Sequence, residues 1–309
     1  MIESLSNNIK KLCSKSGFLK TGFSKAEILT NESNVLRQWI DKGLNADMMW
    51  MNNSFEKRRD PSLILEEVRS VISLAYFYDT PAEHKDEPTI PKISRYAWGK
   101  RDYHKILKKK LKNLSIEIEK LESDTKTKSY IDDGPVMDKV WAARSGIGWM
   151  GKNTNIINKD FGSYFFIATI LINKELIYDK HVEDLCGSCN LCIEACPTGA
   201  IYEEYKLDSN LCISYQTIEN RNEIQNDLKL EGWIFGCDVC QEVCPFTRNK
   251  FFTEDENFLP AAGHFNKSYD ELMRLNENEF DEQFNGTPVK RTKFKGWQRN
   301  LKKAKEEIS

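Results

Sequence analysis

Eight cysteines crowded between Cys186 and Cys244 constrain this chain more than any other feature. The first group reads Cys186-Gly-Ser-Cys189-Asn-Leu-Cys192-Ile-Glu-Ala-Cys196-Pro197, a C-x2-C-x2-C-x3-C-P run. In that spacing three thiolates wrap one iron–sulfur cubane while the fourth turns away toward a second. Gly187 and Ser188 are small enough for the loop to close tightly and aim backbone N–H groups at cluster sulfurs. The second group is Cys212, then Cys237-Asp-Val-Cys240-Gln-Glu-Val-Cys244-Pro245, with a long insertion in place of the first C-x2-C. Crossed ligation assigns Cys186, Cys189, Cys192 and Cys244 to one 4Fe–4S cluster and Cys212, Cys237, Cys240 and Cys196 to the other, with no ligand left over. Two structural zinc sites are the competing reading. Zinc loops usually pair two C-x2-C knuckles across a longer spacer, and consecutive x2 spacings followed by x3-C-P suit the cubane better. Cys13, alone in an amphipathic N-terminal segment, reads as a small buried apolar residue.

In a reducing compartment, crowding of this kind points to metal rather than disulfides. The chain has 309 residues, 40% of them hydrophobic and 30% charged, with a net charge of -2. It is long enough to bury a core without covalent staples, and its composition is that of a soluble globular protein. No apolar run reaches the length of a membrane span, and the first residues lack the apolar block and cleavage site of an export signal. The expectation is a cytoplasmic protein with no membrane contact.

Residues 1 to about 65 read mainly as helix, with Val35, Leu36, Trp39 and Ile40 at helical spacing and a stop at Gly43. Ser70 to Tyr78 reads as a strand, Thr80 to Pro91 as a proline-rich loop, and Ser163 to Ile172 as a buried strand. From Tyr103, Leu107, Leu111, Leu114, Ile118 and Leu121 keep a helical period under a lysine-rich outer face. Clusters only carry electrons, so an acceptor site belongs in the segment before them.

Gly146-Ile-Gly148-Trp-Met-Gly151 matches the dinucleotide fingerprint in letters, but helix precedes it and a strand follows, the wrong order for that site. A glycine turn allowing close backbone approach is the plainer reading. Ile131-Asp132-Asp133-Gly134-Pro135 offers a carboxyl just before a Gly-Pro turn. It is either a proton donor or a cap for the helix beginning near Pro135. Asp102, before Tyr103-His104, carries the same ambiguity.

Taken together, EKRRDPS (Glu56 to Ser62), SRYAWGKRDYH (Ser94 to His104), IDDGPVMDKVWAARSGIGWMGKN (Ile131 to Asn153), FGSYFF (Phe161 to Phe166), both cysteine groups and VKRTKFKGWQRN (Val289 to Asn300) resemble the epoxyqueuosine reductase family. These are cobalamin-dependent iron–sulfur enzymes of tRNA modification. The resemblance implies two-electron reduction of the epoxide of epoxyqueuosine, at the wobble position of a tRNA with a GUN anticodon, to queuosine and water. It implies base-off cobalamin fed one electron at a time by the clusters, with the electron donor unidentified. The family's proton donor is the aspartate of a V-D-S/T-G-P-like turn, which maps onto Asp132 because Gly134-Pro135 set the register. Such an acid must keep its proton near neutral pH, which burial and exclusion of water favour. Arg58, Ala97, Lys152, Asn153 and Ile156, with Asp132, map onto cobalamin contacts. The chain departs from the pattern by an extra residue before Asp102, by Asp133 in place of a small hydroxyl residue, and by ending without the helical-repeat domain of many members.

The resemblance therefore implies an α+β protein: an α/β cobalamin-binding and catalytic domain over residues 1–180, a ferredoxin-like domain with two 4Fe–4S clusters over 181–255, and a helical basic tail over 256–309 packing on the core. A monomer is expected. The net charge offers RNA no overall attraction, so any grip must be local. From Lys290 to Lys305 there are eight basic residues and no acidic one, interleaved with Phe294 and Trp297. By itself this reads as a solvated face. With the resemblance, Lys290, Arg291, Lys293 and Arg299 become RNA contacts. A small-molecule reductase such as a reductive dehalogenase shares the cofactor logic, and a reading of a different class is an electron-transfer module serving a partner protein, against which stoichiometric cobalamin binding would argue.

Overall fold

The computed structural model describes residues 2–248 and 251–308. Its centre is a four-stranded sheet of β1 (Lys20–Lys25), β2 (Ser70–Phe77), β3 (Thr127–Ile131) and β4 (Phe165–Ile172) in the order β1-β2-β4-β3. Every pairing is antiparallel, with Ser73 opposite Gly22 on one side and Thr169 on the other. All eight residues of β2 are buried, because both faces of the sheet are covered. Ile72, Leu74 and Tyr76 join Phe166, Ala168, Ile170 and Ile172 beneath α1 (Ile2–Lys15) and α2 (Tyr103–Glu119), which bring Leu5, Ile9, Cys13, Leu107, Leu111, Leu114 and Ile118. The alternate residues Val71 and Leu171 face Leu29 and Trp141 of α3 (Asp138–Arg144). The period-2 alternation of the strands thus builds two cores from one sheet.

The N-terminal segment is not mainly helical, because β1 interrupts it. KTGFSK shows almost no hydrophobic alternation, and its place in the sheet is won by contact. A Cβ on Gly22 would lie 2.0 Å from the carbonyl oxygen of Ser145, so the strand and the end of α3 meet at glycine distance. The helix Thr30–Asp41 turns Leu36 inward and leaves Val35 exposed, and Gly43 follows its end at φ +67°.

A second core lies beyond the sheet. It gathers Ile93 and Trp98, Ile213, Trp233 and Phe235, and Phe280, Phe284, Val289, Trp297 and Leu301. Trp233–Phe235 pairs in parallel with Lys92–Ile93, and α4 (Lys293–Glu306) packs across that pair. All three segments separated on sequence grounds therefore contribute to it, because a strand from residues 92–93 supplies the edge on which the later chain folds. No helix among the described residues is long and apolar enough to cross a membrane.

Candidate active site and cluster ligands

The two cysteine loops fold on one plan. Cys192 sits on the single-turn helix Leu191–Glu194 and Cys240 on its counterpart Val239–Glu242, and these helices pack together. Cys186, Cys189, Cys192 and Cys244 line one cavity with Lys152, Leu191 and Phe246. Cys196, Cys212, Cys237 and Cys240 lie close enough for their charges to act on one another. Among the described residues, no three Cys, His, Asp or Glu side chains converge tightly enough for a single ion. Zinc would draw its sulfurs to about 2.3 Å. Four thiols lining one shared space are the ligand complement of a 4Fe–4S core. Burial pushes the Cys192 thiol up to about 11 and that of Cys240 well above its ordinary value, so ligation has to displace protons and the metal charge compensates the thiolates. Trp149 Nε1 donates to Cys186 Sγ at 3.4 Å, the kind of donor that tunes a cluster potential.

The glycine-rich segment serves these loops. A Cβ on Gly148 would lie 2.1 Å from the Ile157 carbonyl oxygen, and one on Gly146 2.4 Å from that of Lys180. Close backbone packing is what these glycines permit. Lys152, with only 3% of its side chain exposed, donates from Nζ to Asn190 Oδ1 at 3.0 Å and pairs with Glu204 at 2.7 Å, beside the first cysteine cavity. Asn153 Nδ2 donates to the Cys240 carbonyl at 3.1 Å. Ile156 is buried in a two-residue ladder opposite Met150. Lys152 and Asn153 thus stand at the cysteines. Ala97 has no accessible surface in a short helical turn of the second core, and its carbonyl faces His264 Nε2 at 3.1 Å.

Asp132 and Arg58 lie near enough for the charge of one to act on the other. Asp132 is exposed at the end of β3 with φ +57°, a strained conformation for a non-glycine residue. Its Oδ2 accepts from the Tyr103 hydroxyl at 2.6 Å. The Tyr103 ring is held between His104, 4.1 Å away, and Phe166, 4.1 Å away and within 9° of parallel. Burial pushes the tyrosine well above its ordinary range, so it stays a donor. Neither aspartate of the turn caps a helix, since α3 begins only at Asp138 and has no side-chain cap. Asp133 turns away to Lys108 and to the N–H of Ile131. Burial alone would raise this carboxyl, but those partners outweigh it and hold it below the usual range. Asp102, by contrast, does cap α2, accepting from His104 N at 2.9 Å.

Arg58 donates from Nη1 to the Val136 carbonyl at 2.9 Å, while its Nε is buried without a partner. The charges of Asp138 and Asp132 act on it. Asp138 accepts from Thr169 Oγ1 at 2.6 Å, and burial pushes it up to about 7. Lys139 spans the gap to the second cysteine group. Its Nζ donates to Thr154 O at 2.9 Å and Asn155 Oδ1 at 3.0 Å, and Asp132, Cys240 and Cys212 all act on its charge. Sequence reasoning missed Asp138 and Lys139, which carry no local signature, and passed over Tyr103 in favour of its neighbour Asp102.

The basic tail divides. Arg291 is exposed, pairs with Glu219 at 2.9 Å, and lies 5.7 Å from the ring centre of exposed Trp50; the charges of Tyr103 and Tyr96 reach it. Lys290 pairs with Asp281 at 2.6 Å, and Lys293 is exposed. Arg299 instead turns inward, donating to the carbonyls of Asn220 at 3.0 Å and Gln216 at 2.7 Å, and to that of Asn222. Its guanidinium is engaged by those three carbonyls.

Comparison with known proteins places this arrangement. Residues 185–247 match the family model of a 4Fe–4S double cluster binding domain, and residues 58–133 match that of epoxyqueuosine reductase QueG, DUF1730. An epoxyqueuosine reductase of Cellulophaga algicola is 40% identical over 97% of both chains, and one of Atelocyanobacterium thalassa is 41% identical over 97% of this chain and 98% of its own. The chain belongs to the epoxyqueuosine reductase family. It is accordingly an oxidoreductase with iron–sulfur clusters. A crystal structure of an epoxyqueuosine reductase with a tRNA-Tyr epoxyqueuosine-modified stem loop superposes with a TM-score of 0.89 at 29% identity, covering 99% of this chain and 82% of that one. The epoxyqueuosine reductase of Streptococcus thermophilus superposes with a TM-score of 0.85, covering 96% and 80%.

Proposed function

We propose that this chain reduces the epoxide of epoxyqueuosine in tRNA, so that two electrons and two protons convert the three-membered ring to an alkene and release water. The observation that carries the reading is the Asp132 turn. A carboxyl in a strained conformation, held by Tyr103, faces Arg58 and stands one lysine away from the second cysteine group. Cys186, Cys189, Cys192 and Cys244 hold one 4Fe–4S cluster, and Cys196, Cys212, Cys237 and Cys240 hold the other. The buried, unpartnered Nε of Arg58 and the charged side chains beside it fit a polar cofactor edge, and Arg58, Asp132 and Lys139 would hold cobalamin. Cobalamin, when bound, supplies a strongly reducing metal centre.

The chain's own groups do the rest. Asp132 delivers a proton to the departing oxygen, since expelling an alkoxide unprotonated is far costlier. Tyr103 fixes the carboxyl and stabilises the carboxylate left behind. Lys139, bonded to the Thr154 carbonyl, ties the Asp132 side of the site to the second cluster loop. Arg291 and Lys293 meet phosphates of the anticodon loop, and Trp50 offers a stacking face beside them.

The test is nucleoside mass spectrometry of tRNA bearing epoxyqueuosine, incubated without oxygen with protein reconstituted with both clusters, cobalamin and a strong reductant. Conversion to queuosine is expected. An Asp132→Asn variant, assayed at saturating cobalamin, should keep its iron content while losing about 10²- to 10⁴-fold in rate. No conversion by the wild type, with both clusters intact and cobalamin bound, would transfer the reading to a small-molecule reductase.

A further inference from the structure

Two clusters must be refilled from outside the chain, and the surface around the first cysteine group has a distinct chemistry. From Val182 to Tyr205 the sequence carries five carboxylates (Glu183, Asp184, Glu194, Glu203 and Glu204) and no lysine or arginine, the inverse of the C-terminal tail. Leu185 and Leu191 are 44% and 42% exposed, and both line the cavity of Cys186, Cys189, Cys192 and Cys244. Tyr202 and Tyr205 add exposed rings on the adjacent hairpin, which is fixed by the N–H of Tyr205 donating to the Lys152 carbonyl at 3.1 Å. Glu203 and Glu204 pair with Lys206 and Lys152, whereas Glu183 and Glu194 have no ion-pair partner among the described residues. Lys139, in the helix after the Asp132 turn, donates from Nζ to Asn155 Oδ1 at 3.0 Å, and Asn155 Nδ2 reaches Cys240 Sγ at 4.0 Å, so the second cysteine group lies toward that turn and the first group is the outer end of the electron path.

We propose that this leucine-centred, acid-rimmed face docks the electron donor, a small one-electron carrier protein whose redox centre has a basic rim. The inference rests on the reductase reading only in requiring that the clusters be reduced. Apolar contact at the centre expels water between donor and cluster, and the rim carboxylates steer the partner and set its orientation. Each encounter oxidises the donor by one electron and reduces the cluster by one. Two encounters supply the electron pair that the epoxide consumes with two protons.

The experiment uses holoenzyme with both clusters, reduced by light and deazaflavin, which needs no docking. It is mixed in stopped flow with ferric cytochrome c, a basic-rimmed haem protein that accepts one electron. The wild-type bimolecular rate should fall steeply as salt rises. Replacing Glu183→Lys and Glu194→Lys together should lower the rate at least tenfold at low salt and reverse the salt slope, and Glu183→Gln with Glu194→Gln should give a smaller loss. A wild-type rate indifferent to salt overturns the proposal, as does a lysine variant with unchanged rate and slope. Faster exchange of the wild type than of the lysine variant with an acidic flavodoxin overturns it too. Neither tRNA nor cobalamin takes part, so failure of the reductase reading leaves this result interpretable.

Discussion

Replacing Tyr103→Phe isolates one hydroxyl at the reacting end of the site. The ring is clamped between His104 and Phe166, so phenylalanine occupies the same place. The only bond removed is the one to Asp132 Oδ2 at 2.6 Å. A hydrogen bond to a charged acceptor contributes about 1.5–3 kcal/mol, and one to a neutral acceptor about 1 kcal/mol. In the proposed step the acceptor gains charge as its proton passes to the substrate, so the catalytic share is the difference between the two. That leaves about 0.5–2 kcal/mol, a fall in kcat of roughly 2- to 30-fold. The assay is single-turnover conversion of modified tRNA by holoenzyme, alongside cobalamin titration and a melting curve. Cobalamin affinity, iron content and melting temperature should stay close to wild type, because the aromatic stack is intact. A kcat within twofold of wild type would refute the positioning role. A loss seen entirely as weaker tRNA binding would refute it equally.

Burial holds Asp138 at about 7, so the folded chain keeps a proton that the unfolded chain releases between about pH 4 and 7, and stability falls as pH rises through that window. Asp138→Asn should flatten this slope and raise stability at pH 8 by on the order of 2 kcal/mol, as read by denaturant melts across pH. The two arginines of the tail should separate. Arg291→Ala should weaken tRNA binding and reduce the log–log salt slope by about 0.7–0.9. Arg299→Ala should leave that slope unchanged and lower the melting temperature by on the order of 4 °C, because it removes the donor to the carbonyls of Gln216, Asn220 and Asn222. Gly148→Ala forces a Cβ to within 2.1 Å of the Ile157 carbonyl oxygen and should cost about 2–3 kcal/mol. Gly43→Ala, with φ +67° and open space around it, should cost about 1 kcal/mol, so equal losses in a melt would contradict the packing account.

The sequence by itself determined the features that depend on residue type at short range. Cysteine spacing carried the cluster chemistry, because x2 and x3 steps set which thiols one short loop can aim at one centre. The apolar period of α2 and the dense β-branched and aromatic runs of β2 and β4 were legible because burial on a helix stripe or a covered sheet demands those patterns. The Asp132-Asp133-Gly134-Pro135 turn was visible as a turn. Which of the two aspartates to propose as the proton donor came only from the resemblance.

Tertiary structure decided what the side chains meet. Asp133 is claimed by Lys108 and Asp132 by Tyr103, two residues of the same helix α2 that point to different sides of the turn. The strand β1 exists because a glycine lets it approach the Ser145 carbonyl, and six weakly patterned residues cannot announce such a contact. Lys152 and Asn153 went to the cysteine loops, and Arg299 went to loop carbonyls. In a linear sequence a lysine or arginine is only a charge with a long reach. Its partner is fixed by whichever acceptor the fold leaves unsatisfied within that reach, a property of packing between segments far apart in the chain.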